Sequence, residues 1–518
     1  MRTNGEQAAR VPAWPWERLP HGRWLGRLAL AALVLFWAWA LAGLPLTNAA
    51  ALLVAAVVGV AMLLWPALGL ALLAVAVPFG SLRSISLGPA QVGAAEMLLA
   101  VTAAVWLVRQ LARRSLRPTW PAFGAAGLAL MGAMLLSFLP ASSFALAVKE
   151  MLKWAELWLA ALLVLNAVDA AGALLLALGL LAAGAAQGLL GAYQFFARVG
   201  PPEFVLMGRF MRAAGTFHQP NPYGGFLGLT LPLAVGLLLS AWPARGRNRP
   251  SGAVQPQQAG ASDAPTAGEA LPSRRVTLAI WLAAAVGGGL IALGLFASWS
   301  RGAWLGAAAA VAAVVLANGG RWLRGALLVG VLALCLCLLV WGRVPLPGAL
   351  QERFGGFLSD LTTFDVRGVE VDDANFAVIE RVAHWQAALA MLNDYPWTGL
   401  GLGNYPEAYA KYALPRWPDP LGHAHNYYFN IAAEAGLPGL AAYLIWVFGG
   451  LWVALLAVRR SQGVWRGLAL GVLGMWVHLS VHNLFDNLYV HGMGITVGLL
   501  LGLAAWIIAQ GRRRGQNP

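Results

Sequence analysis

The sequence predicts an all-α polytopic membrane protein with about 12–14 transmembrane helices. Three observations predict it. The 518 residues are 59% hydrophobic and only 11% charged. Apolar runs of about 20 residues, the length that crosses a bilayer as a helix, recur along nearly the whole chain. The arginines gather in short loops on alternate sides of those runs, as the positive-inside rule requires. The formal net charge of +14 therefore reflects membrane topology rather than nucleic-acid binding.

In chain order, Arg2, Arg10, Arg18 and Arg23 form a cytoplasmic tail (1–23) before the first span, Trp24 to Leu44. No convincing cleavage site follows, so that span is expected to be retained. The next runs are Asn48 to Leu64 and Ala67 to Phe79, meeting at Trp65-Pro66, then Gln91 to Leu111, followed by Arg113, Arg114 and Arg117. Trp120 to Leu139, Phe144 to Val168, Gly172 to Phe196 and Tyr223 to Trp242 complete a first transmembrane part, 24–242. Residues 243–275, rich in Pro, Gly, Ala, Gln and Arg, have too little apolar content to pack and read as a disordered cytoplasmic linker. Further spans are Val276 to Ala297, Ala303 to Leu316 and Ala326 to Val340, within 276–342. Cys335 and Cys337 share the last of these, and positions two apart on a helix diverge too far for a disulfide.

One long extracytoplasmic segment, 343–433, then precedes the C-terminal helices (434–510: Leu437 to Val458, Leu468 to Val481, Leu488 to Ile508) and a cytoplasmic tail, 511–518. The long segment is not structureless. Glu380 to Leu392 carries apolar residues at helical spacing, which predicts an amphipathic helix bearing Arg381. Asn393-Asp394-Tyr395-Pro396 ends it. The glycines of Gly399-Leu-Gly401-Leu-Gly403 read as a tight connection between interfacial helices; with no strand before them, a phosphate loop is the weaker reading.

Five polar islands interrupt this apolar background. In Arg209 to Tyr223, Asn221 before Pro222 predicts a capped helix start on the outer side, where free N–H groups and the helix dipole favour an anion. Arg212 adds a planar fork suited to phosphate; the alternative is an arginine touching lipid headgroups. Arg301, in Ser298-Trp-Ser-Arg-Gly302, precedes another inward-running helix and reads either as a snorkelling anchor or as a second phosphate contact. Lys149, Lys153 and Glu156 share one helix face and read equally as an ion-pair ladder or as substrate contacts. His423 and His425 close the long segment. No third metal ligand stands at a diagnostic spacing, so a general base is favoured over a metal site. His478, His482 and Asp486, four apart, share a helical face.

Together these islands resemble the O-antigen ligase and O-antigen polymerase superfamily. The resemblance rests on Arg212-x-x-Gly215-Thr-Phe-x-x-Pro-Asn221, on Ser300-Arg301-Gly302, and on Pro396-x-x-Gly399-x-Gly401-x-Gly403-Asn404 with His425-Asn426-Tyr427 and Glu434-x-Gly436-x-x-Gly439. It implies a membrane glycosyltransferase of C-type architecture in the inner membrane, working at the extracytoplasmic face. The donor is a glycan on undecaprenyl diphosphate. The acceptor is the lipid A core in ligases and another lipid-linked glycan in polymerases. The ligases resemble inverting, metal-independent enzymes, so no cofactor is expected. Carried over by motif, Arg212 and Arg301 match the arginines that hold the diphosphate, and His425 matches the histidine that activates the acceptor hydroxyl. Asn221, Lys149, Lys153, His423, Asn426, Arg381 and His482 are further substrate-binding candidates, and the family pattern leaves Lys149, Lys153 and His482 undecided. A polymerase and a protein O-oligosaccharyltransferase are alternatives within the class. A transporter is the alternative outside it, disfavoured because no internal repeat is visible and the polar islands gather at one face.

Overall fold

The computed structural model describes residues 28, 31–32, 34–39, 42–82, 84–87, 90–206, 208–240, 273–320, 365–372 and 375–515. Part of the first span, nearly all of the linker, the span with Cys335 and Cys337, and the start of the long segment lie outside the described residues. The chain divides into two compact units, Met1–Leu64 and Trp65–Pro518. In the first, α1 (Leu46–Leu64) is apolar and exposed almost all round, as suits a lipid-facing helix.

The second unit opens with α2 (Pro66–Ala76), whose proline suits a first helical turn. A hairpin of β1 (Ser84–Leu87) and β2 (Ala90–Gly93), paired antiparallel with Leu87 opposite Ala90, leads into α3 (Ala94–Ala112). The fourth span is thus shorter than the apolar run suggests, because residues 90–93 are spent on a strand. There follow α4 (Gly124–Leu136), α5 (Phe144–Ala167) and α6 (Ala170–Ala197). Ser143 and Asp169 cap α5 and α6 through their side-chain oxygens. After a two-residue ladder, β3 (Val205–Leu206) and β4 (Phe210–Met211), come α7 (Pro220–Ser240), α8 (Arg274–Ala297) and α9 (Arg301–Asn318). Arg274 and Arg275, read from sequence as linker, belong to α8, which Ser273 caps. The amphipathic helix is present as α10 (Phe376–Asp394) and buries Val378, Ile379, Val382, Ala383, Ala387 and Met391 at helical spacing. The chain ends with α11 (Tyr405–Tyr412), α12 (Tyr427–Arg459), α13 (Gly463–His482) and α14 (Met493–Gly515).

Nine of the described helices are long and apolar enough to cross a membrane, and the chain is a multi-pass membrane protein. Within the second unit, α7, α13 and α14 are the most enclosed of them. Helix α7 lies hard against α13, since a Cβ on Gly236 would sit 2.3 Å from the carbonyl oxygen of Gly467. Packing of small residues of this kind drives helix association where lipid removes the hydrophobic incentive.

The glycine-rich segment is the tight connection the sequence suggests, and it has a definite partner. Helix α12 breaks at Gly436 (φ 67°, ψ −171°), just before Pro438. A break inside a membrane protein frees backbone groups that must find partners. Here the amides of Leu400 and Gly401 donate to the carbonyls of Ala433 and Glu434 (both 2.9 Å), and the Leu437 amide donates to Pro396 (2.7 Å). The Glu434 carboxylate accepts from the Tyr405 amide at 3.3 Å. The loop's amides therefore serve the break and its glutamate.

Gly436→Val should show how much this junction carries. A Cβ there would lie 2.7 Å from the Trp397 carbonyl carbon, at a positive φ. A loss of about 2 kcal/mol or more is expected, seen as reduced folded yield and a lower melting temperature in detergent. Gly132→Ala, where a Cβ meets nothing within 4 Å, should leave both unchanged.

Candidate active site

A cavity of about 180 Å³ is lined by Arg212, Asn221, Ser300, Arg301, Arg381, His482 and Asp486, among others. Two helices begin at its wall. Arg301 is the first residue of α9 and is buried, at 8% exposure. Asn221 is the second residue of α7, which starts two positions earlier than the sequence suggests. Its role differs from the expected cap: Asn221 Oδ1 accepts from Arg212 Nη2 at 3.0 Å. Arg212 Nε donates to the Ser298 carbonyl at 3.1 Å, so the guanidinium is steered from two sides. Arg381, reaching in from α10, donates through Nε to the Phe485 carbonyl at 3.2 Å. Three guanidinium groups and one carboxylate, Asp486, thus line the same cavity. With two helix N-termini added, the cavity is built for an anion with several oxygens.

The histidines stand behind Asp486. Helix α13 stops at His482, and Asp486 lies in the turn after it, its amide donating to the His482 carbonyl at 3.1 Å. From the other side, His425 Nδ1 lies 3.6 Å and His423 Nε2 3.7 Å from Asp486 Oδ1. His425 sits in the left-handed region (φ 52°), a conformation that costs a non-glycine residue roughly 1 kcal/mol or more and is often kept at functional sites. The next residue, Asn426, spends its oxygen capping α12, accepting from the amides of Tyr428 (3.0 Å) and Phe429 (3.2 Å). The His425 amide donates to His423 Nδ1 at 3.1 Å, which fixes the His423 proton on Nε2, facing Asp486. Nε2 of His425 is buried and makes no hydrogen bond among the described residues.

Burial governs the charges. It pushes His423 down to about 3, with the neighbouring His425 adding to the shift and Asp486 opposing it. His384, whose ring meets His425 edge to face at 5.5 Å, is likewise pushed down to about 3, mainly by burial. Burial would raise Asp486, but the His425 side chain and the charges of His425, His423 and Arg381 outweigh it, and the carboxyl lies below its usual range.

The structure therefore gathers Arg212, Asn221, Arg301, Arg381 and His482 on one cavity, and joins His423 and His425 to it through Asp486. Lys149 and Lys153 stand elsewhere, on a second cavity, and Lys153 pairs with Glu150 at 2.5 Å. His482 faces His478, its Nδ1 3.4 Å from His478 Nε2. Sequence spacing did not disclose that Asp486 faces the His423 and His425 pair. It is also the third group that the metal reading lacked, since His423, His425 and Asp486 bring ligand atoms within 4.8 Å of one another.

Residues 286–444 match the family model described as O-antigen ligase. No curated protein matches the chain. The match supports the superfamily resemblance, and with it a membrane glycosyltransferase of the O-antigen ligase and polymerase type whose substrates are lipid-linked glycans. It covers Arg301, Arg381, His423 and His425; Arg212, Asn221, His482 and Asp486 lie outside it.

The histidine shifts predict an acid-labile segment around α10 and the His423–His425 loop. An unfolded histidine titrates near 6.5, whereas folded His384 and His423 titrate near 3. Between those values the unfolded chain binds more protons, so stability falls as pH falls, by at most about 1.4 kcal/mol per pH unit per histidine. Glu380, raised by burial, opposes this near its own range. The melting temperature of the purified protein should drop from pH 7 to pH 4.5, and His384→Asn should flatten that slope. A flat wild-type profile would contradict the assignment.

Proposed function

We propose that the chain is an O-antigen ligase. It transfers a glycan from undecaprenyl diphosphate to a hydroxyl of the lipid A core, at the outer face of the inner membrane, with inversion and without a metal. The observation that carries this reading is the convergence of three arginines and two helix N-termini on one cavity. The acceptor oxygen attacks the anomeric carbon as the bond to the diphosphate breaks. Negative charge grows on the departing diphosphate, and preorganised donors in a water-poor site stabilise it. Arg212 and Arg301 hold the phosphates, with Arg381 beside them, so fixed cations do the work that a divalent metal does in other glycosyl transfers. The acceptor proton passes to Nε2 of His425, while Asp486, facing Nδ1, orients the ring and steadies the imidazolium that forms. His423, held neutral, supports the loop through its bond from the His425 amide.

Incubating purified protein with lipid-linked glycan and either lipid A core or a second lipid-linked glycan, then identifying the product, tests this reading against a polymerase. Arg212→Lys and Arg301→Lys keep the charge but lose the planar fork, and each should weaken donor binding, turnover or both. His425→Ala should leave donor binding nearly intact and slow transfer by about a hundredfold or more. If a folded His425→Ala variant transfers at the normal rate, the base is elsewhere. Transfer should also persist in excess chelator. A large loss restored by one metal would give His423, His425 and Asp486 a ligating role instead.

A further inference from the structure

A second cavity, of about 450 Å³, lies beside the first. Its polar lining is Glu96, Lys149, Lys153, Glu156, His218 and His491. The two cavities have no lining residue in common, but the same two chain segments reach both. Just before α7, His218 faces the larger one and Asn221 the smaller. In the turn between α13 and α14, Asp486 lines the smaller while Tyr489 and His491 line the larger. Both cavities therefore lie at the end of the bundle where α7 and α14 begin.

The chemistry of the two differs. The smaller sets three guanidinium groups against one carboxylate, whereas the larger balances two lysines against two carboxylates and adds two imidazoles. A set that mixes donors and acceptors at near-zero net charge suits hydroxyl groups, which both donate and accept, better than it suits a diphosphate. Trp154 and Tyr489, packed on each other with ring centroids 4.7 Å apart, give one side an aromatic edge. The volume falls in the range of small-molecule sites and is ample for a monosaccharide. His218 (φ 60°) and His491 (φ 51°) both hold left-handed backbone beside it, a strain that persists only where the surroundings enforce it.

Its position relates it to the proposed base. Tyr489 packs on Tyr427, with ring centroids 4.7 Å apart, and Tyr427 follows His425 by two residues. Ring packing thus links the wall of this cavity to the first turn of α12, two residues after His425. We infer that the larger cavity is the acceptor subsite. It holds a sugar unit of the acceptor glycolipid next to the unit whose hydroxyl His425 deprotonates, and Lys149 and Glu156 are specificity-determining contacts. This rests on the proposed function for there being a second glycan substrate.

Lys149 is exposed on α5, so replacing it should not disturb folding. In proteoliposomes, Lys149→Ala and Glu156→Gln should raise KM for the acceptor about tenfold, leave KM for the lipid-linked donor unchanged, and be partly rescued by Lys149→Arg. Should Glu156→Gln fail to fold, Lys149→Ala carries the test. Direct binding separates this idea from the reading it rests on. Wild-type protein is titrated with delipidated core oligosaccharide and with delipidated repeat-unit glycan. One of the two should bind wild-type and Arg212→Lys protein equally, and Lys149→Ala protein at least tenfold more weakly. Binding of neither glycan, or a rise in donor KM alone, overturns the acceptor subsite. An unchanged donor KM together with unchanged turnover in both Arg212→Lys and Arg301→Lys would instead remove the proposed donor site and leave this one standing.

Discussion

Burying one carboxylate sets the terms for the whole site. Asp486 is 6% exposed, and an ionised carboxylate at that depth is tolerated only when charges and hydrogen bonds surround it. Three parts of the chain supply them: the turn after α13 that carries it, the His423–His425 loop, and Arg381 from α10. Removing any one would leave a buried charge under-compensated. The need to satisfy Asp486 therefore draws α10, the His423–His425 loop and the turn after α13 to one point. That point separates the arginine cavity from the histidine pair.

The second constraint is backbone accounting around Gly436. The broken α12 leaves carbonyls at Ala433 and Glu434 and an amide at Leu437, and the Pro396–Gly403 loop takes up all three. Gly399 lies so close that a Cβ on it would come within 2.2 Å of the Glu434 carbonyl carbon. The first turns of α12 are thereby clamped from the outside, and the Asn426 cap fixes where that segment begins. His425 immediately precedes the cap, so its left-handed backbone is held by structure on both sides. Motif residues that look catalytic by their company, Gly399, Gly401, Gly403, Glu434 and Gly436, act on the site by holding it in place.

Much of this was legible in the sequence because membrane physics leaves few options. Apolar runs map onto helices within a few residues, as Phe144 to Val168 does onto α5 and Val276 to Ala297 onto α8. The strand at Ala90–Gly93 escaped notice because short alternating segments beside an apolar run carry no strong period of their own. At the site, local rules marked Arg212 and Arg301 beside helix starts, and the structure sets both on one cavity. What local rules cannot give is pairing across the chain. Asp486 read as an extension of the His478 and His482 face, and nothing in its spacing ties it to His425. Lys149 and Lys153 resisted assignment for the same reason, because their cavity is completed by α3 and by the loops before α7 and α14.

Asp486 also bears on how the two ends of the proposed reaction work together. Arg212, Arg301 and Arg381, which would receive the leaving diphosphate, line one cavity with Asp486, and the charges of His425, His423 and Arg381 favour its ionised form. An ionised Asp486 in turn favours a proton on the His425 nitrogen that faces it, leaving Nε2 with its lone pair available as base. As the diphosphate gains charge and the imidazole gains a proton, the two changes are opposite in sign and lie on opposite sides of one fixed carboxylate. Asp486 thus opposes charge growth at the leaving group slightly and assists protonation of the base directly. In the proposed reaction, three arginines against one carboxylate weigh that balance toward the anion.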